Sequence, residues 1–229
     1  MGRSLAIFDM DGTLADSMYF WKRAPAWVLY GMGHLLTSAD EIAFQSVGFE
    51  GIPAYLVETY HLPCTPAEFR SRIDSFMLER YRTDVLPWPD VPEYLRALSR
   101  RGIRSVILTA SAPPFIQTLL ERFSLAPYFE AAFSAQTLGL PKSDPAIYDL
   151  LFRQLNCRAE DCILFEDSPY AVRAAAQAGI PSVGILDPSQ GHSHAQLNAL
   201  CIRTVSHYSE LLEADIFAAP EYRNTKGAE

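Results

Sequence analysis

The chain has 229 residues, 49% hydrophobic and 20% charged, a balance typical of globular proteins that excludes disordered and fibrous classes. At about 150 residues per domain, the length fits one large domain or a core with a smaller companion. The net charge is −8 with no cluster of Lys and Arg, so no nucleic-acid partner is expected, because affinity for a phosphate backbone rests on such clusters.

The apolar stretch Leu5 to Phe8 is interrupted by Asp9 and Asp11, too early for the hydrophobic region of a secretory signal. The uncharged run from Trp27 to Leu36 contains Gly31, Gly33 and His34 and falls short of the ~20 residues a bilayer requires. No membrane partner and a cytoplasmic location are expected. Cys64, Cys157, Cys162 and Cys201 form no Cys-x-x-Cys pair and read as buried reduced thiols.

In chain order, Ser4 to Phe8 reads as a buried strand running into a turn at Gly12. Residues of about 16 to 84 offer helical stretches at Phe20 to Tyr30, Ala39 to Ser46 and Pro66 to Arg82 but no strand, which predicts an all-helical insertion ending near Pro87-Trp88-Pro89. A helix from Pro89 to Arg101 follows, with Val91, Tyr94, Leu95 and Leu98 on one face and Gly102 as its stop. Next come a strand at Ser105 to Leu108, a helix at Pro113 to Phe123, a weaker strand at Ala131 to Ser134 and a helix at Asp144 to Asn156. The strand Cys162 to Phe165 leads into a helix from Ser168 to Ala178, with Ser168 as N-cap, Pro169 in the first turn and Gly179 closing it. Strands at Pro181 to Leu186 and Cys201 to Val205 complete the series. Between them, His192-Ser193-His194 lies among Gly, Ser and Gln and reads as a solvated loop rather than a metal clasp. The tail from about Ala218 reads as frayed. Short apolar strands alternating with helices define an α/β class with a parallel sheet covered on both faces.

Chemistry-bearing residues gather at the ends of these strands, where open α/β sheets place their ligands. Asp9-Met10-Asp11-Gly12-Thr13 follows the first strand, Thr109 ends the second, Lys142 precedes a helix start, and Glu166-Asp167 ends the strand from Cys162. An Asp-Gly turn accounts for Asp11 and Gly12 but leaves Asp9 unexplained. Taken together the set offers a carboxylate nucleophile, a second carboxyl two residues on, a metal-binding carboxylate, and a hydroxyl and an ammonium suited to phosphoryl oxygens.

Four motifs in order, Asp9-Met10-Asp11-Gly12-Thr13-Leu14, Ile107-Leu108-Thr109-Ala110-Ser111, Lys142-Ser143-Asp144-Pro145 and Phe165-Glu166-Asp167-Ser168 leading to Gly179, resemble the haloacid dehalogenase-like superfamily. The closer likeness is to its phosphatase and phosphomutase branch, over nearly the whole chain. The resemblance implies a three-layer Rossmann-like core over residues 1–15 and 86–229 and a helical cap over residues 16–85. It implies that Asp9 attacks phosphorus to form an aspartyl-phosphate, and that Asp11 protonates the leaving oxygen and then activates water. Magnesium would be held by Asp9, the Asp11 backbone carbonyl and Asp167, with Glu166 through water or behind these ligands. Thr109, Ala110 and Lys142 would hold the phosphoryl group. Ser143 stands where the family often has proline after the lysine, with no expected effect on the chemistry.

Substrate choice in this family lives mainly in the cap, which carries no Lys or Arg from Ala24 to Phe69. Lys22 is the only lysine before Lys142, which disfavours the Schiff-base chemistry of phosphonoacetaldehyde hydrolases. Glu50 in Val47-Gly48-Phe49-Glu50-Gly51 has the wrong sign for the second phosphate site of a sugar phosphomutase, and Phe20 and Trp21 occupy the region where many mutases carry a histidine. Hydrolysis of a small phosphorylated metabolite is therefore expected over phosphomutase action, unless Arg70, Arg72, Arg80 and Arg82 turn inward. A phosphoacceptor signalling module is the non-enzymatic alternative, disfavoured by the acid at Asp11 and by the cap. Tyr19, Phe20 and Trp21 are candidates for lining the substrate pocket, against core packing as the plainer reading.

Overall fold

The computed structural model describes residues 3–218. The expected fraying of the tail concerns residues 219–229, outside the described residues. Strands β1 (Leu5–Phe8), β2 (Arg104–Thr109), β3 (Ala131–Ser134), β4 (Cys162–Glu166), β5 (Ser182–Ile185) and β6 (Arg203–Val205) form one sheet in the order β3-β2-β1-β4-β5-β6. All neighbours are parallel, the arrangement of a doubly wound α/β fold.

Alternation along β1 divides the core between the two faces of the sheet. Ala6 and Phe8 join Ile107, Ile163 and Phe165 on the face covered by α4 (Val91–Arg100) and α5 (Pro113–Arg122). Leu5 and Ile7 join Val106, Leu108 and Leu164 on the opposite face, under α7 (Ala146–Leu155) and α8 (Pro169–Gln177). Burial on both faces is why these strands read as continuous apolar runs.

Between β1 and α4 lie α1 (Met18–Gly31), α2 (Ser38–Thr59) and α3 (Pro66–Thr83), with no strand among them. Thr37 with Asp40 and Thr65 with Glu68 form reciprocal capping boxes that start α2 and α3. The sequence pattern reaches only the first part of α2, because Gly48 breaks it with φ 64° and ψ 172°. The chain leaves and re-enters the core through adjacent connections. Ala15 bridges Pro87 antiparallel, the Asp16 amide donates to the Leu86 carbonyl at 2.9 Å, and the Trp88 amide to the Leu14 carbonyl at 2.9 Å.

A short helix α6 (Ala135–Leu138) follows β3, and α9 (Gly191–Leu200) lies between β5 and β6. The latter corrects the loop expected around His192 and His194. Its first turn carries both histidines, Ser193 and Leu197 are buried, and His194 Nε2 lies 2.8 Å from the Asp187 carbonyl. The cysteines are free as expected, but only Cys162 is buried, the other three being half-exposed. None of the described helices is long and apolar enough to cross a membrane.

Candidate active site

The register of the sheet assembles the site. Phe8 pairs with Phe165 on one side and Ile107 on the other, so Asp9 emerges beside Glu166 and near the carboxyl end of β2 at Thr109. The Asp9 amide donates to the Phe165 carbonyl at 2.9 Å, extending this pairing to the first residue past β1.

Lys142, from the loop before α7, sits buried among these strand ends. Its Nζ lies 2.5 Å from Asp9 Oδ1 and 2.5 Å from Glu166 Oε2. The other oxygen of Glu166 accepts the Asp167 and Ser168 amides at 3.2 and 3.0 Å, which ties it to the start of α8. Burial disfavours the Lys142 ammonium, but the Asp9 and Glu166 charges outweigh it and hold the group protonated well above the usual lysine range.

Ligand oxygens of Asp9, Glu166 and Asp167 lie within 4.8 Å of one another. Burial, and then the Glu166 charge, push Asp9 up to about 8 against the opposing pull of Lys142. The same causes raise Asp167 well above the carboxylate range, with Asp9 adding to them. Three buried carboxylates facing one ammonium are short of positive charge, and their donors are all hard oxygens. That combination fits a divalent cation.

Gly12 keeps the two acidic motifs close. Its φ is +78°, and a Cβ there would lie 2.1 Å from Asp167 Oδ2 and 2.9 Å from Met18 Cγ. Asp167 is further held by the Ser168 hydroxyl at 3.0 Å on Oδ1 and by the Gln190 amide on Oδ2. Ser168 occupies the expected N-cap position, but its hydroxyl turns to Asp167 and makes no capping bond to α8.

Asp11 stands apart from this cluster. Its Oδ1 accepts from the Ser17 hydroxyl at 2.7 Å, the Trp21 indole at 2.6 Å and the Tyr81 hydroxyl, and its Oδ2 from the Ser111 hydroxyl at 2.6 Å. Burial, and then the Asp11 charge and hydrogen bond, hold the Tyr81 phenol well above its usual range, so it remains a donor. Thr109 is buried and accepts the Ser111 amide at 3.1 Å, while Ala110 is exposed beside it.

Of the three aromatics of α1 expected near substrate, the structure brings only Trp21 to the site. Met18, Trp21 and Lys22 share the face turned toward the core, as spacings of three and four residues on a helix require. Tyr19 and Phe20 point elsewhere and line an outer groove of about 460 Å³ with Trp27, Tyr30 and Phe76. Lys22 Nζ donates to the Ser189 carbonyl. The ion pairs of Arg70 with Glu50 and Asp74, Arg80 with Asp84 and Arg82 with Glu79 all stay within the inserted helices, and Arg72 is exposed.

Ser17, Tyr81 and Gln190 are contacts that the sequence pattern does not announce. Ser111 lies within the second motif, but only the fold pairs it with Asp11.

Residues 4–179 match the family model of the haloacid dehalogenase-like hydrolases, and the chain belongs to that family. It is similar to the phosphoglycolate phosphatase of Yersinia pseudotuberculosis, 26% identical over 214 residues that cover 90% of each chain. It is also similar to the phosphorylated carbohydrates phosphatase of Thermotoga maritima, 28% identical over 180 residues, covering 77% of this chain and 82% of the relative. Among solved structures, a putative beta-phosphoglucomutase from Thermotoga maritima superimposes with a TM-score of 0.74 at 26% identity, covering 91% of this chain and 96% of the other. The chain is an enzyme of the hydrolase class, and its relatives are named as phosphatases.

Proposed function

We propose that this protein is a magnesium-dependent phosphomonoesterase acting on a small phosphorylated metabolite in the cytoplasm. The observation that carries this reading is the placement of Asp9 against the buried Lys142–Glu166 pair, with Asp11 two residues on and held separately. Asp9 is the nucleophile and takes the phosphoryl group as an aspartyl-phosphate. Lys142 offsets charge that would otherwise repel an anionic carboxylate from an anionic phosphate. Asp11 gives a proton to the departing oxygen and then removes one from the water that hydrolyses the aspartyl-phosphate. Thr109 and the Ala110 backbone, with Lys142, hold phosphoryl oxygens at the end of β2.

The magnesium ion, held by Asp9, the Asp11 carbonyl and Asp167 with Glu166 behind them, would supply further positive charge to the transferring phosphoryl group. Residues 16–85 serve as a cap on the core formed by the described residues on either side of them, and the paired connections at Ala15–Ser17 and Val85–Trp88 act as its hinge.

Two phosphatase relatives favour hydrolysis over phosphoryl transfer to a sugar. The likeness to a putative beta-phosphoglucomutase makes the mutase the second reading. Phosphate release from phosphoglycolate, sugar phosphates, nucleotides and an aryl phosphate, with and without magnesium, separates the two. Metal-dependent release lost in Asp9→Asn supports the phosphatase. Isomerisation of a sugar phosphate without release supports the mutase.

A further inference from the structure

The carboxylate of Asp11 is gripped from outside its own motif, and the grip is uneven. Oδ1 takes three donors, from Ser17, Trp21 and Tyr81, whereas Oδ2 takes only the Ser111 hydroxyl. A carboxylate oxygen offers about two lone pairs, so Oδ1 is saturated and Oδ2 is left with room for one more partner. We propose that Tyr81 is a positioning residue for Asp11, fixing Oδ1 so that Oδ2 is the oxygen that exchanges a proton with the leaving group, and that Arg122 sets Tyr81 in place. This rests on reading Asp11 as the general acid and base.

Tyr81 is held at three points. Its hydroxyl bonds Asp11, its ring meets Phe115 edge-on at 5.2 Å, and its backbone carbonyl accepts from the Arg122 guanidinium at 2.9 Å. Arg122 belongs to α5 of the core, yet it also donates to the Thr83 carbonyl at 2.7 Å and to the Val85 carbonyl. Carbonyls at a helix C-terminus lack partners within the helix, and one guanidinium gathers three at the end of α3 and just beyond. The arginine therefore pins the last turn of α3 to the core just where Tyr81 reaches Asp11. Phe115, on the same core helix, also packs against Trp21 at 5.4 Å, so both aromatic donors to Oδ1 share one support. The acid is thus oriented only while α3 lies against the core, which couples the position of the inserted helices to proton transfer.

The test separates acid positioning from mere packing by varying the leaving group. A general acid matters for an alkyl phosphate, whose alkoxide leaves poorly, and hardly at all for 2,4-dinitrophenyl phosphate, whose phenolate leaves unprotonated. With the full chain and magnesium, kcat/KM is measured on the best alkyl phosphate of the panel and on the dinitrophenyl ester, for wild type, Asp11→Ala, Tyr81→Phe and Arg122→Gln. Tyr81→Phe, which keeps the ring, is expected to lower the alkyl value by roughly 10- to 100-fold and the aryl value by less than about threefold. Arg122→Gln should show the same selectivity to a smaller degree, which keeps the test open if Tyr81→Phe folds poorly. Equal losses on both esters, or none, in Tyr81→Phe and Arg122→Gln while Asp11→Ala stays selective would overturn the positioning role and leave the acid intact. Non-selective loss in Asp11→Ala would overturn the acid reading itself, and the inference with it.

Discussion

Lys142 and Glu166 form a buried ion pair, Nζ to Oε2 at 2.5 Å, on the flank of Asp9, the proposed nucleophile. Glu166 is anchored in turn by the first amides before α8. The cation beside Asp9 therefore takes its position from a helix start, and the strand pair β1–β4 only brings the two ends level. Glu166→Gln keeps an oxygen for the amides but removes the charge that Lys142 answers. Loss of a charged hydrogen bond in a buried setting costs about 2–3 kcal/mol. The variant is expected to fold, with a lower thermal midpoint, and to lose about 100-fold or more in kcat/KM. Circular dichroism melts and phosphate release check both halves of this expectation.

Gly12 makes a sharper demand. A methyl group there meets Asp167 Oδ2 at 2.1 Å while φ stays at +78°, so Gly12→Ala strains the backbone by about 1–2 kcal/mol and also pushes a carboxylate out of the acidic cluster. Titration with magnesium monitored by thermal shift is expected to raise the midpoint of the wild type and to have little effect on Gly12→Ala. A full magnesium response in the variant would mean that Asp167 does not serve the ion from this position.

Asp40 provides a pH signature far from the chemistry. Burial alone would raise its pKa, but hydrogen bonds from Tyr60, Thr37 and Tyr55 outweigh it and hold the group down at about 2. Its folded pKa is depressed below the unfolded value of about 4, so its contribution is fully present above about pH 4. That contribution is lost as pH falls toward about 2. Asp40→Ala is expected to melt earlier than wild type at pH 6, with the gap closing progressively on acidification below about pH 4. Paired melts across that range provide the check.

What the sequence made legible follows from where physical signals are local. Buried parallel strands are apolar on both faces, so Leu5–Phe8 and Cys162–Phe165 stand out while the half-exposed edge strand Ala131–Ser134 reads more weakly, and the polar residue that ends a buried run draws attention to itself at Asp9, Thr109 and Glu166. Helix α9 escaped because only Ser193 and Leu197 face inward, too few to mark a helical period among polar neighbours. The second half of α2 was hidden by Gly48 and by Pro53. Three aromatics in a row at Tyr19, Phe20 and Trp21 look equivalent in sequence, but the turn of the helix sends Trp21 to Asp11 and the other two to the outer groove. Tyr81, Arg122 and Gln190 acquire their contacts only when distant segments close on one another, and no local pattern records that.

In the proposed mechanism Asp9 carries the phosphoryl group during turnover. It is tested by mass spectrometry of the peptide containing Asp9 after acid quench of a single turnover of 2,4-dinitrophenyl phosphate, whose leaving group needs no acid, in wild type and in Asp11→Asn, where loss of the proposed base is expected to slow hydrolysis of the aspartyl-phosphate. A phosphoryl adduct on that peptide, enriched in Asp11→Asn and absent from Asp9→Asn, is the expected result. Phosphate release with no adduct at any quench time in Asp11→Asn, or continued turnover in Asp9→Asn, would contradict it.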